Sequence, residues 1–282
     1  MGVSFEFYSR EYNKDIIKDS KLSILLRTDS LSFLLRDPQT ETLHLLRHFD
    51  LGKGSNTSQQ EEVLQIISSD EVLINSPKCA HLAIEEKAYT LIPSRLHNPE
   101  KASSYFLDFE VEAYALSYHT RALPDGHHHL AYAIEDQKLE WFKGFRIEHF
   151  QSAMEAQLKL YSLFSGDEDR NLFLDFHQDT FTICIIDRSK IIFLNTFDYA
   201  HTNDVLFYIL KLCSTLKIKT REIRAYVSGL SESYSKIWKA LDRYMGSLSL
   251  FDMNMFFAEM RYLGEDAPLY QDLLAVSQSH KS

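Results

Sequence analysis

The chain has 282 residues, of which 45% are apolar and 25% charged, so a packed core in one large or two ordinary domains is expected and general disorder is excluded. A formal charge of −10 argues against a broad nucleic-acid face, because Lys and Arg drive phosphate binding through counterion release. The N-terminal MGVSFEFYSREYNKD lacks the apolar run of a signal peptide, and Glu6 stands where myristoylation needs Ser or Thr. Apolar stretches elsewhere are strand-sized or carry Lys, so a cytoplasmic protein without a membrane span is expected.

KLSILLRTDSLSFLLRD, residues 21–37, reads as strand, tight turn, strand, with a third strand ending at Phe49-Asp50. Ser58-x-x-Glu61 forms a capping box for a helix whose Val63, Leu64, Ile66 and Ile67 supply a buried face. A strand at Glu71–Asn75, a hairpin over Cys79–Ile92 and a short helix over Asn98–Leu107 opened by Pro99 follow. Next come a strand at Leu130–Glu135, a helix near Asp136–Lys143 and a strand at Arg146–Phe150. Ser152-x-x-Glu155 then caps a helix running to Phe164, before the hinge-like stretch 165–170.

NLFLDFHQDTFTICIID, residues 171–187, repeats the first rhythm: Asp29 aligns with Asp179 and Asp37 with Asp187, an offset of 150. Removing two residues from the next turn brings Phe49-Asp50 onto Phe197-Asp198. Phe181, Ile183 and Ile185 share one face of the middle strand and Thr182, Cys184 and Ile186 the other, which implies burial on both sides. Thr202 caps a helix striped by Val205, Ile209, Leu212 and Leu216. A strand at Glu222–Gly229 follows, then a helix from Ser231 with Tyr234, Ile237, Trp238 and Leu241 inward and Gly246 at its end. A meander followed by alternating helices, written twice, implies a duplicated α/β domain with mixed sheets. The expected division is 1–165, with an inserted subdomain near 78–126, and 166–282. Cys79, Cys184 and Cys213, each isolated in an apolar pattern, read as reduced core thiols.

The run LAYAIEDQKLEWFKGFRIEHFQSAMEAQLKLYSLFSGDEDRNLFLDFHQDTFTICIID resembles the junction between the halves of actin-like ATPases, such as the type IV pilus-assembly and cell-division actin-like proteins. YSREYNKD together with KLSILLRTDSLSF is similar to a bacterial family of unknown function with that fold. The resemblance spans essentially the whole chain and rests mainly on the order of elements. It implies two ribonuclease-H-like lobes facing each other across a cleft. In nucleotide-binding members a strand ends in Asp-x-Gly with Ser or Thr shortly after; the Asp serves Mg²⁺ and water, and the Gly lets backbone amides approach phosphates.

By that resemblance Asp175 matches the Asp and Thr180 lies near the hydroxyl position, while His177 replaces the Gly. The first lobe reads Leu25-Leu26-Arg27 and lacks both. Tyr199-Ala200-His201 replaces Gly-Gly at the second phosphate-facing turn, and Gly229-Leu230 stands for Gly-Gly on the adenosine side. Each replacement adds a side chain where a ligand would touch backbone. The resemblance and its departures together imply a non-catalytic actin-like scaffold or partner-binding protein with degenerate nucleotide motifs, no cofactor, an unknown protein partner and scope for self-association.

One alternative is an atypical ATPase that binds Mg-ATP through Asp175, His177, Thr180, His201 and Gly229, with Asp175 as the catalytic candidate and the two histidines donating to phosphate. Another is a metal-dependent ribonuclease-H-like nuclease built on Asp175 and Asp204, although the strand Tyr226-Val227-Ser228 offers no third carboxylate. Gly126-His127-His128-His129 places His127 and His129 on one strand face, yet no Cys or carboxylate follows at ligand spacing, and a surface strand is expected rather than a metal centre. Phe5, Phe7, Tyr8 and Tyr12, and Phe256-Phe257 with Tyr262, are candidate docking aromatics, with core packing the simpler expectation. Nucleophile-elbow, P-loop, zincin and Cys-x-x-Cys signatures are absent.

Overall fold

The computed structural model describes residues 3–52, 56–76, 78–107, 115–166, 170–177, 179–229, 234–251 and 270–277. The chain divides into two compact units: Met1–Arg121, His129–Lys159 and Asp272–Ser282 form one, Ala122–His128 and Leu160–Gln271 the other.

The first unit contains, in chain order, β1 (Phe5–Tyr8), β2 (Lys21–Leu26), β3 (Ser30–Arg36), β4 (Leu43–Asp50), α1 (Asn56–Ser69), α2 (Glu71–Asn75) and β5 (Lys78–Ile84). They are followed by β6 (Ala88–Pro93), β7 (Leu116–Ala122), β8 (His128–Glu135), α3 (Asp136–Glu140), β9 (Arg146–Ser152) and α4 (Ala153–Phe164), of which Ala122, His128 and Leu160–Phe164 fall in the second unit. Its main sheet has the order β1-β4-β3-β2-β5-β9. The tight turns of the meander make β2, β3 and β4 antiparallel, whereas β5 and β9, reached by longer connections, lie parallel to β2 and β5 respectively.

Several local expectations change here. Helix α1 begins at Asn56, so Ser58 lies inside its first turn and is not the cap. Val63 and Ile66 are buried, but Leu64 is 40% exposed. Residues 71–75 are helical rather than extended, because the Asp70 carboxylate accepts the amides of Val72 (2.9 Å) and Leu73 (3.4 Å) and nucleates a turn that buries both side chains. The expected hairpin over 79–92 is split: β5 joins the main sheet, while β6 pairs into a separate sheet ordered β6-β8-β7. That small sheet, with the 3₁₀ helix Pro99–Phe106, has its own core of Ile92, Phe106 and Ala131. The cap at Ser152 is present, its Oγ accepting the Glu155 amide at 3.0 Å.

The second unit carries β10 (Arg170–Phe176), β11 (Thr180–Asp187), β12 (Lys190–Asp198), α5 (Thr202–Thr215), β13 (Arg224–Ser228), α6 (Tyr234–Asp242) and β14 (Ser247–Leu250). Its sheet order, β12-β11-β10-β13-β14, matches β4-β3-β2-β5-β9, with the same parallel and antiparallel senses. The register agrees as well: Thr180 faces Asp198 as Ser30 faces Asp50, and Asp175 faces Ser228 as Leu25 faces Ala83. Phe181 through Ile186 are all buried, as two-sided burial requires. Leu172, Leu174 and Phe176 pack in one core with Val205, Ile209, Ile237 and Leu241 from the helices. On the opposite face Phe173 stacks on Tyr161 at 4.2 Å. Each such side chain contributes about 1.5–3 kcal/mol by leaving water.

In α5, Cys213 faces the core in place of Leu216, which is 36% exposed. Gly246 lies beyond the end of α6 and does not stop it. A Cβ there would lie 2.0 Å from the Arg221 carbonyl oxygen, so a close backbone approach selects the glycine. All three cysteines are free and buried, and burial pushes the Cys79 thiol up to about 12.

Asp272–Ser277 cluster with the first unit. There, helix α7 (Gln271–Ser277) buries Leu273, Leu274 and Val276 and is tied by Arg36 Nε donating to Ser277 Oγ (3.0 Å) and Gln151 Nε2 donating to the Val276 carbonyl (3.4 Å). No helix among the described residues is long and apolar enough to cross a membrane. The N-terminal aromatics lie on and beside edge strand β1, where Tyr8 packs against Tyr12 at 4.9 Å. The hinge residues 167–169, Ser231, and the aromatics Phe256, Phe257 and Tyr262 fall outside the described residues.

Candidate functional site

Asp175 leaves the apolar pattern of β10 one residue before the strand ends, and the parallel neighbour β13 sets Ser228 beside it. Asp175 is 2% exposed. Ser228 Oγ donates to Asp175 Oδ1 at 2.5 Å, and His177 Nε2 lies 2.9 Å from Oδ2. The His177 amide donates to the Thr180 carbonyl at 2.8 Å, which closes the β10–β11 turn. Tyr199 Oη donates to the His177 carbonyl at 3.0 Å and joins that turn to the next one. Gly229, at φ +73°, passes so close to β10 that a Cβ would lie 2.0 Å from the Phe176 oxygen.

Asp175, His177, Thr180 and Gly229 therefore converge at one end of the sheet, with His201 on the adjoining β12–α5 turn. Both carboxylate oxygens of Asp175 are engaged by this chain's own side chains. That turn's amides are engaged too: Asp204 Oδ2 accepts from Ala200 (3.0 Å) and His201 (2.8 Å), which holds the Asp204 carboxyl below the ordinary carboxylate range. His201, rather than Thr202, is the N-cap residue of α5.

The matching turns of the first unit have the same character. The Thr28 amide donates to Glu85 Oε2 at 2.6 Å, and the Arg27 guanidinium sits 3.6 Å from Glu85 Oε1 while also pairing with Asp272. Gln59 Nε2 donates to the carbonyls of Arg27 (3.1 Å) and Thr28 (3.0 Å). At the β4–α1 turn the Gly52 amide donates to Glu62 Oε2 at 2.8 Å. At the start of α4, Glu86 Oε2 accepts the Met154 amide at 3.4 Å; burial, with the charge of Glu85 adding, pushes its carboxyl up to about 7.

Glu62, Glu85 and Glu86 were not singled out from the sequence. The available signal was an acidic pair directly after the apolar run of β5, where charge must either reach solvent or find a donor.

The histidine run does not converge. His128 Nδ1 bonds to Asp125 Oδ2 at 2.6 Å, and His129 stacks on His97 with ring centroids 3.7 Å apart. Among the described residues, no group of three or more His, Cys, Asp or Glu is placed to hold a metal ion. An open groove of about 730 Å³ lies beside the β12–α5 turn, lined by Asp179, Asp198, Tyr199, Ala200, Asp204, Phe207 and Tyr208.

Residues 9–248 match the family described as "Protein of unknown function (DUF3822)". The chain belongs to this family. No curated protein matches the chain in sequence. Among solved structures, the chain is similar to a Bacteroides thetaiotaomicron VPI-5482 protein with an actin-like ATPase fold and unknown function: TM-score 0.74, 16% identity, covering 86% of this chain and 96% of that one. It is similar also to the PilM-PilN type IV pilus biogenesis complex, with TM-score 0.63, 13% identity and coverage of 92% and 98%. The ethanolamine utilization protein EutJ from Carboxydothermus hydrogenoformans matches with TM-score 0.50, 11% identity and coverage of 92% and 89%. This DUF3822 chain therefore has the actin-like ATPase fold, and identities this low speak to fold alone.

Proposed function

We propose that this protein is a non-catalytic, partner-binding member of the actin-like fold that works without a resident nucleotide. One observation carries the reading: amides at the turns that nucleotide-binding members turn toward phosphate are taken by this chain's own carboxylates. Glu85 holds Thr28 and Asp204 holds Ala200 and His201, while Glu62 holds Gly52 at the first unit's counterpart of the Asp204 turn. An incoming phosphate has to break these charge-assisted hydrogen bonds and then face the displaced negative charge. Asp175, the residue that would serve Mg²⁺, is buried with both oxygens occupied. The solved PilM-PilN structure is a complex of two proteins, which accords with partner binding on this fold.

The same geometry weighs against the alternatives. In the atypical ATPase, His177 would donate to phosphate, but its Nε2 is directed at Asp175. In the nuclease, Asp204 would bind metal, but its Oδ2 already caps two amides.

The test is thermal unfolding with and without millimolar Mg-ATP or Mg-ADP. A nucleotide at one hundred times its dissociation constant adds about 2.7 kcal/mol of stability. No shift is expected; a clear shift that disappears in Asp175→Ala overturns the proposal.

A further inference from the structure

The groove beside the β12–α5 turn lies wholly within the second unit and combines an aromatic floor with an acidic rim. Tyr208 stacks on Phe197 at 4.4 Å and contacts the core ring of Phe181 at 6.2 Å, so the floor is anchored. Phe207 stands edge-on to Tyr208, with centroids 5.6 Å apart, and is 63% exposed. Asp179, Asp198 and Asp204 supply three carboxylates, and among the described residues the lining contains no Lys or Arg. Asp198, at the end of β12, is exposed. Burial raises the Tyr199 phenol, and the charge of Asp179 raises it further, so the negative field reaches into the groove.

We infer that this groove binds a basic peptide segment of a partner protein, with an arginine seated against Phe207 and Tyr208 and paired with Asp198 in the field of Asp179 and Asp204. This rests on the partner-binding reading above and gives the partner a chemistry. The argument for the occupant is charge complementarity. An anion is repelled by the rim, and a neutral apolar chain strips water from the carboxylates without replacing it. A guanidinium satisfies both halves: its plane and methylene stem lie on aromatic faces while its N–H groups meet carboxylate oxygens. The volume suits one or two side chains with their backbone.

The experiment titrates the full chain with an acetylated, amidated pentapeptide carrying two arginines, followed by isothermal calorimetry at low salt. Its citrulline analogue, of the same shape but uncharged, serves as comparison. Saturable binding is expected, about tenfold weaker for the citrulline peptide and for Asp179→Asn/Asp198→Asn, and about threefold weaker for Phe207→Ala. The control Glu11→Gln/Asp19→Asn, which removes the same charge from exposed positions of the first unit, should leave affinity within about twofold.

Absence of saturable binding overturns the inference, as does equal weakening by the two double variants, which would indicate attraction to the overall charge. Equal affinity of the citrulline peptide overturns it too. None of these outcomes touches the nucleotide result, so a failed peptide titration with a silent nucleotide scan removes this groove and leaves the non-catalytic reading in place.

Discussion

The turn that closes β2 onto β3 and the turn that closes β10 onto β11 share two backbone hydrogen bonds, yet they keep their negative charge in different places. In both, the first residue past the strand donates its amide to the carbonyl three residues on, Arg27 to Ser30 and His177 to Thr180, each at 2.8 Å. In both, the residue before the next strand accepts from the following turn, Asp29 from Leu51 at 2.7 Å and Asp179 from Tyr199 at 3.0 Å. The first unit ends β2 with apolar residues and imports its carboxylates, Glu85 from the end of β5 and Asp272 from α7, around the cation Arg27. The second unit carries its carboxylate on the strand as Asp175 and surrounds it with Ser228 and His177. Sheet register thus fixes where a turn's polar groups point, while single positions, 25 against 175 and 83 against 228, decide what neutralises them.

The sharpest way to break this comparison is Gly229→Ala. The new Cβ would lie 2.0 Å from the Phe176 oxygen at a left-handed φ, so a loss of more than about 3 kcal/mol in denaturant unfolding is expected. Ile84, which occupies the matching register position, tolerates a Cβ by construction. Asp175→Ala comes next: it leaves Ser228 and His177 without their shared acceptor in a buried site and should cost about 3 kcal/mol. A cost below about 1 kcal/mol would mean that the carboxylate is not structural.

Arg27→Ala leaves Glu85 and Asp272 facing each other in a partly buried site and should cost about 2 kcal/mol, with faster amide hydrogen exchange along α7. Unchanged exchange there would show that α7 is held without the Asp272 ion pair.

The smallest effect is pH-dependent. Glu86 has a folded pKa raised from 4.5 to about 7, so its ionisation is disfavoured in the folded state. Stability is lost as pH rises between those values, and the loss is complete above about 7. Glu86→Gln should therefore stabilise by on the order of 1–2 kcal/mol at about pH 8 and change little near pH 4. Melting curves at the two pH values check this; equal effects at both would remove the titration.

Much of the architecture was legible because it depends on short-range periodicity. The aspartates of the two meanders, the alternation that buries both faces of β11 and the Ser152 cap all lie within a few residues of the groups they organise. Residues 71–75 misled because five residues with apolar members suit either strand or helix, and the Asp70 carboxylate decided the matter. The 79–92 hairpin misled because adjacency in sequence was taken for pairing, whereas β6 found its partner in β8. At the candidate site, Asp175 stood out as a charge in an apolar strand, but its partners did not.

By itself the sequence determined the α/β class, the repeated strand order and which strands must be buried on both sides, since hydrophobic spacing is read along the chain. Only the tertiary structure decided which carboxylate meets which donor. Arg27 and Asp272 are 245 residues apart, Ser228 and Asp175 are 53 apart, and Thr28 and Glu85 are 57 apart. No local pattern encodes such pairings, because they arise when parallel strands and a returning helix bring distant chain segments to the same sheet edge, and burial then makes an unpaired charge too costly to leave.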